Sequence, residues 1–200
     1  MTGKFKKNTI LLITFVLLLI PLIITGCDND NNNNDNEVAE VDEEVAVESL
    51  LIDELVYENR HVSNIDMELF WKFSEDEHSL YMMLKSPGSG WLAVGFEPST
   101  RMADAEIIIA GFDEDDNFLL EEHFGTSATS HELIEETYIK ESSGERNDEN
   151  SIAEFIIPLG EDSRYDLEPG TEYEIILSYH SSSDNFIQRH SQRTTIELEL

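Results

Sequence analysis

Few side chains in this sequence are equipped for chemistry beyond proton exchange, and their positions narrow what it can do. Cys27 is the single cysteine and ends an apolar run. The domain that follows therefore has no internal disulfide, no thiolate metal site and no cysteine nucleophile. The chain also lacks the Cys-x-x-Cys-His needed to attach a c-type haem covalently. Met102 sits in "GWLAVGFEPSTRMADAEIIIAG", residues 90–111, where a polar loop joins two apolar runs. A flexible thioether usually fills gaps in a core, and a loop of Pro, Ser, Thr, Arg and Asp is a poor place for filling. Of six histidines, His61, His78, His123 and His131 lie scattered among acidic strand ends and loops and are assigned no role. His180 and His190 flank a polar stretch near the C-terminus. No carboxylate pair, serine triad or phosphate loop has a context that supports catalysis, so the chain is read as a non-enzyme with no catalytic residues.

The ends explain much of the composition. Lys4, Lys6 and Lys7 precede the apolar run from Ile10 to Ile24, the charged and apolar regions of an export signal. The run closes on "ITGC", which resembles a bacterial lipobox, so residues 1–26 are expected to be removed and Cys27 to carry lipid. Residues 27–49, asparagine- and acid-rich, are too polar to bury anything and are expected to form a disordered tether. Its root-mean-square span is roughly 25 Å. The expected location is the extracytoplasmic face of the cell membrane, anchored by lipid.

The whole chain carries 43 acidic and 12 basic residues, a formal charge of −31. Without the three signal lysines the balance is −34, which makes nucleic acid an implausible partner. Acid spread through every segment serves solubility, and it also suits a basic electron carrier as partner.

Past residue 50, period-two alternation replaces any helical pattern. Ile65, Met67, Leu69, Trp71 and Phe73 share one face, and Leu80, Met82 and Leu84 follow the same rule. Apolar runs at 91–96, 105–112 and 118–124 come next, then expected strands at 133–139, 151–157, 172–180 and 194–200, with "SSGERNDEN" and "LEPG" as connections. "DEDDN" at 113–117 is a hairpin tip and not a calcium loop, because Phe118 and Phe124 stand where glycine and glutamate are required. About nine to eleven short strands indicate an all-β, antiparallel, immunoglobulin-like sandwich over residues 50–200.

These residues also carry a family likeness. "GWLAVGFEP" followed by a methionine, then "AEIIIAG", an acidic turn and "LSYHSSSDNFIQRHSQRTTIELEL" resemble the DOMON domain, the sandwich module found in dopamine beta-monooxygenase and in the cytochrome domain of cellobiose dehydrogenase. Glu106, where aspartate is usual, and Thr194, where glycine is common, mark a divergent member. In haem-binding members a methionine after the "GW…GF" strand and a histidine near the C-terminus are axial ligands of non-covalent haem b. The resemblance thus implies Met102 and one of two histidines. Thr194, Ile196, Leu198 and Leu200 read as inward, and His190 shares their parity, whereas His180 falls on the face of Glu174 and Ser178. The family pattern also places the ligand just before the last strand. His190 is the expected ligand and His180 the reserve, with Arg101, Arg189 and Arg193 beside the two proposed ligands, where they either meet the two propionates or neutralise neighbouring carboxylates.

The resemblance implies a lipid-anchored, monomeric module for single-electron transfer to or from a redox enzyme or basic carrier. Two alternatives share the fold: a haem-free module for a sugar or other small ligand, stacked on Phe70, and a structural surface lipoprotein.

Overall fold

The computed structural model describes residues 49–52, 55–161 and 163–200. The expected signal peptide, Cys27 and nearly all of the tether lie outside them. Among the described residues there are eleven strands and no helix: β1 (Asn59–Val62), β2 (Glu68–Phe73), β3 (Ser79–Pro87), β4 (Leu92–Phe96), β5 (Glu106–Phe112), β6 (Phe118–Ser127), β7 (Ser130–Leu133), β8 (Ser142–Arg146), β9 (Asn150–Pro158), β10 (Glu172–Tyr179) and β11 (Gln192–Glu199). All pair antiparallel, in a five-stranded sheet ordered β1-β2-β3-β9-β8 and a six-stranded sheet ordered β11-β10-β4-β5-β6-β7. The sandwich expected from alternation is present.

Alternation determines which residues meet between the sheets. In the first sheet, Trp71 pairs with Met82 and Met82 with Phe155, so one row of large side chains crosses three strands. In the second, Leu177 pairs with Val94 and Val94 with Ile108. Both rows belong to one continuous buried cluster that Ile196 and Leu198 of β11 join from the edge. Each such aliphatic or aromatic residue contributes about 1.5–3 kcal/mol through removal from water.

Three expectations are corrected. The strand expected at 133–139 ends at Leu133, because the buried carboxylate of Glu122 accepts hydrogen bonds from Tyr138 N (2.8 Å) and Ile139 N (3.1 Å), drawing the chain off the ladder. "SSGERNDEN" is not wholly a connection: Ser142–Arg146 is edge strand β8 on β9, with Gly144 so tightly against the Phe118 ring that a Cβ would meet it at 2.3 Å. Phe70 is not an exposed sugar platform but is 3% exposed, packed with Tyr57 and Met83 on the outer face of the first sheet.

That outer face is closed by the segment that leads into the domain. Glu154, in the row of Phe70 and Met83, accepts hydrogen bonds from Tyr57 Oη (2.6 Å), Leu51 N (3.1 Å), Leu50 N and Ser49 Oγ. Every donor that the segment aims at this carboxylate is matched.

Candidate functional site

The outer face of the six-stranded sheet is built differently. Register sets two rows side by side, Ile176–Gly95–Ile107 and Ser178–Ala93–Ile109, across β10, β4 and β5. Small residues in the central strand leave a hollow between flanking isoleucines, and a Cβ at Gly95 would stand 3.3 Å from Ile107 Cγ1. Trp91, Met102 and Phe186 pack on this floor as a second apolar cluster outside the main core. The result is a cavity of about 810 Å³, within the range of roughly 300–1,000 Å³ usual for cofactor and small-molecule sites.

Two loops form its walls. In the β4–β5 loop Arg101 and Asp104 adopt left-handed backbone (φ 62° and 65°), which turns the chain tightly around Met102. Asp104 N donates to Gly125 O (2.7 Å) and Gly125 N to Ala105 O (2.9 Å), fastening the loop to β6. Gly125 is required for this approach, since a Cβ there would lie 1.6 Å from the Met102 carbonyl oxygen. The other wall is the 180–191 segment. Asp184 accepts from Phe112 N (3.2 Å) and is ion-paired with Arg146 (2.6 Å), while Ser191 N donates to Tyr179 O (2.8 Å).

The structure brings Met102, His190, Arg101, Arg189 and Arg193 together: all five line this cavity. The geometry that does so differs from the parity argument in one respect. Thr194, Ile196 and Leu198 face the interior as expected, but the cavity lies on the opposite face, the one carrying Ser178 and Arg193. His190 reaches it from the loop before β11 and not by inward parity. His180 follows the end of β10 and does not line the cavity; its ring is committed within the loop, where Nδ1 accepts from Ser183 N (2.9 Å) and Ser182 N (3.2 Å), and Nε2 lies 3.0 Å from the Gln188 side-chain amide. Burial, then the positive charges of Arg193 and Arg189, hold the His190 imidazole below its ordinary pKa, which favours the neutral, lone-pair-bearing form.

Charge distribution separates the cavity from the rest of the surface. Arg60, Arg146 and Arg164 are ion-paired with Glu68, with Asp116 and Asp184, and with Glu106 respectively. Among the described residues, Arg101, Arg189 and Arg193 have no carboxylate within ion-pair distance, although the chain is rich in acid. Trp91, 5% exposed, has an indole N–H without an acceptor. Buried donors of this kind are uncommon, and none of the described residues supplies an acceptor. A second depression, about 870 Å³, is lined by Asp76, Glu77, Glu161, Asp166 and Glu168. Its carboxylates repel anions, and no group of three or more metal-ligating side chains forms among the described residues.

Sequence reasoning missed His131, which also lines the cavity, and Trp91 as a cavity wall. The available signal was in β4 and β5, where residues on both faces are apolar, so a second buried surface was required beyond the core.

A model of the DOMON domain family matches residues 63–180, and the chain belongs to that family. Among solved structures it is similar to the cytochrome domain of Myriococcum thermophilum cellobiose dehydrogenase, at 11% identity and a TM-score of 0.52, covering 71% of this chain and 88% of that one. The likeness is one of fold. No curated protein sequence matches the chain.

Proposed function

We propose that the domain carries a non-covalent haem b for single-electron transfer, with Met102 and His190 as the residues that would ligate its iron. The observation that carries this reading is the convergence of one thioether, one half-buried imidazole of lowered basicity and three arginines without carboxylate partners on a single apolar-floored cavity. The donor set suits the group. Thioether and imidazole are ligands of low-spin haem, the arginines answer two propionates, and the Trp91 N–H offers a further donor to an oxygen. Family membership and the shared fold support the same reading.

When bound, the haem supplies reversible one-electron chemistry at iron. Met102, held by the Gly125 contact, is a soft donor that favours the ferrous state and raises the potential. His190, neutral at physiological pH, donates a nitrogen lone pair. An iron held by both Met102 and His190 would have no position left for oxygen, so these residues would serve electron transfer and not oxygen activation. Ile107, Ile109 and Ile176 line the cavity floor and would keep water from the bound group. In this reading Cys27 carries the lipid, the domain works outside the membrane as a monomer, and its partner is a redox enzyme or a basic carrier.

Reconstitution tests it. The wild-type domain should take up haem with a Soret band and, on reduction, show the sharp visible bands of a six-coordinate low-spin centre. Met102→Ala should admit carbon monoxide and lower the potential, His190→Ala should release most of the haem, and His180→Ala should leave the spectrum unchanged. A folded wild-type domain without haem uptake defeats the proposal and favours a small anionic ligand in the same cavity. Cys27→Ser should accumulate unprocessed precursor; normal processing would defeat the anchor.

A further inference from the structure

A chain of three titratable side chains ends at the cavity wall and is not used by the ligand set above. Glu121 and His123 on β6 pair across the sheet with Ile109 and Ile107 of the cavity floor, so both lie on the cavity face. His131 on β7 stands opposite Gly125, diagonal to His123 on that face. Glu121 Oε2 lies 3.0 Å from His123 Nε2, and His123 Nδ1 lies 3.0 Å from His131 Nδ1. The two imidazoles meet edge to face, at 82°.

The carboxylate dictates the protons. An ionised Glu121 only accepts, so His123 carries its proton on Nε2 and presents a lone pair at Nδ1. His131 must then donate from Nδ1, which leaves its Nε2 as a lone pair on a ring that lines the cavity. A base oriented by a second group, itself oriented by a third, is the arrangement that fixes one nitrogen for proton acceptance. His123 is 7% exposed, whereas the Glu121 side chain reaches solvent.

We infer that Glu121, His123 and His131 form a proton-accepting relay, and that an electron gained in the cavity is matched by a proton taken from water onto His131 Nε2. The inference rests on the haem reading above. The electron would come from the one-electron donor proposed above, a redox enzyme or carrier; at His131 Nε2 an N–H bond forms as an O–H bond of solvent hydronium or water breaks, leaving water or hydroxide, and both changes reverse on reoxidation. His123 adjoins the His131 ring and Glu121 adjoins His123, both from β6, and the charged or titratable groups that line the same cavity as His131 are Arg101 of the β4–β5 loop, Arg189 and His190 of the segment before β11, and Arg193 of β11. β5 presents Ile107, Ile109 and Gly111 on this face, none of them charged. Two propionates would offset two of the three arginines, and reduction removes one further positive charge from the cavity, so protonation of His131 costs less after the electron arrives than before it. Burial, then the neighbouring His123, already holds His131 below its ordinary pKa against the opposing pull of Glu121. It is therefore neutral in the oxidised state at neutral pH and has a proton to gain.

Spectroelectrochemical titration of the haem-loaded domain between pH 5 and 8, at fixed salt, decides the matter. The midpoint potential should fall as pH rises, approaching about 59 mV for each tenfold drop in proton activity where coupling is complete. His131→Phe and, as a second variant, His131→Gln should flatten the slope while keeping the low-spin spectrum; Glu121→Gln should move it to lower pH. A flat wild-type profile, or an unchanged slope in both His131 variants, overturns the relay while the haem reading stands. In the haem-free domain, nitrogen NMR should find the proton of neutral His131 on Nδ1, and finding it on Nε2 overturns the relay independently of haem. The expected tautomer in a domain that binds no haem overturns the haem reading, and the electron coupling falls with it.

Discussion

The two outer faces of the sandwich bury similar side chains and treat their polar atoms in opposite ways. On the five-stranded sheet, Glu154 is 1% exposed and surrounded by donors from Tyr57 and residues 49–51. On the six-stranded sheet, Trp91 has a buried N–H without an acceptor, and three arginines in a strongly acidic chain have no carboxylate partner among the described residues. A satisfied network stabilises the fold by itself, because each donor exchanges water for protein at little net cost. An unsatisfied one raises the energy of the empty protein and lowers it again when a matching ligand arrives. The contrast separates a face closed by the chain's own donors from a face whose leftover donors suit the ligand proposed above.

The most severe way to break the contrast is Glu154→Ala. It orphans the buried Tyr57 hydroxyl and should cost about 3 kcal/mol of folding stability, measured by urea unfolding. Haem uptake by the folded fraction should be unaffected. A loss under about 1 kcal/mol would show that the closed face is not held by this carboxylate.

The converse is expected on the cavity face. Arg189→Gln with Arg193→Gln should leave the haem-free stability within about 0.5 kcal/mol, since no ion pair is lost. It should weaken haem binding by roughly a hundredfold or more, two charge-assisted contacts being removed. Equal loss of stability and affinity would erase the distinction. Trp91→Phe sharpens the comparison with a smaller effect: roughly fivefold weaker haem binding by competition with apo-myoglobin, and no cost to the empty domain.

The smallest effect is on pH. His131 and His190 both have folded pKa values below the ordinary imidazole value, each by burial first. As pH falls through about 6.5, the unfolded chain takes up protons that the folded cavity resists, so their contribution is complete above that pH and declines below it. The melting temperature of the haem-free domain should fall on acidification from pH 7.5 to 5.5. His131→Phe should reduce the slope, and an identical slope would remove His131 from the account.

Much of this was legible in the sequence, and the misses have physical reasons. β2, β3, β10 and β11 alternate clearly because one face of each meets the core, and Met102 stood out because its loop is polar. β8 was hidden because it is an edge strand whose residues are polar or, at Gly144, reduced to backbone by the Phe118 ring. Phe70 lay on a face that alternation marks as outward, and only the distant Tyr57 and Glu154 reveal that it is covered. The residues that line the cavity were recognisable by type, but parity pointed them to the inner side of the sheet and the cavity is on the outer one. An apolar set pointing inward says nothing about a hollow lined from outside by loops.

Arg146 carries a mechanical implication. It belongs to β8, an edge of the five-stranded sheet, yet it bonds Asp116 at the β5–β6 tip, the Ser89 carbonyl and Asp184 in the segment that bears His190, while stacking on Phe112 at 4.5 Å. One guanidinium thus latches the two layers together beside the cavity mouth. Residues 49–51 are hooked to the same five-stranded layer through Glu154. A pull on that segment would load this layer first, and any sliding between layers would be felt through the latch at the wall that holds His190.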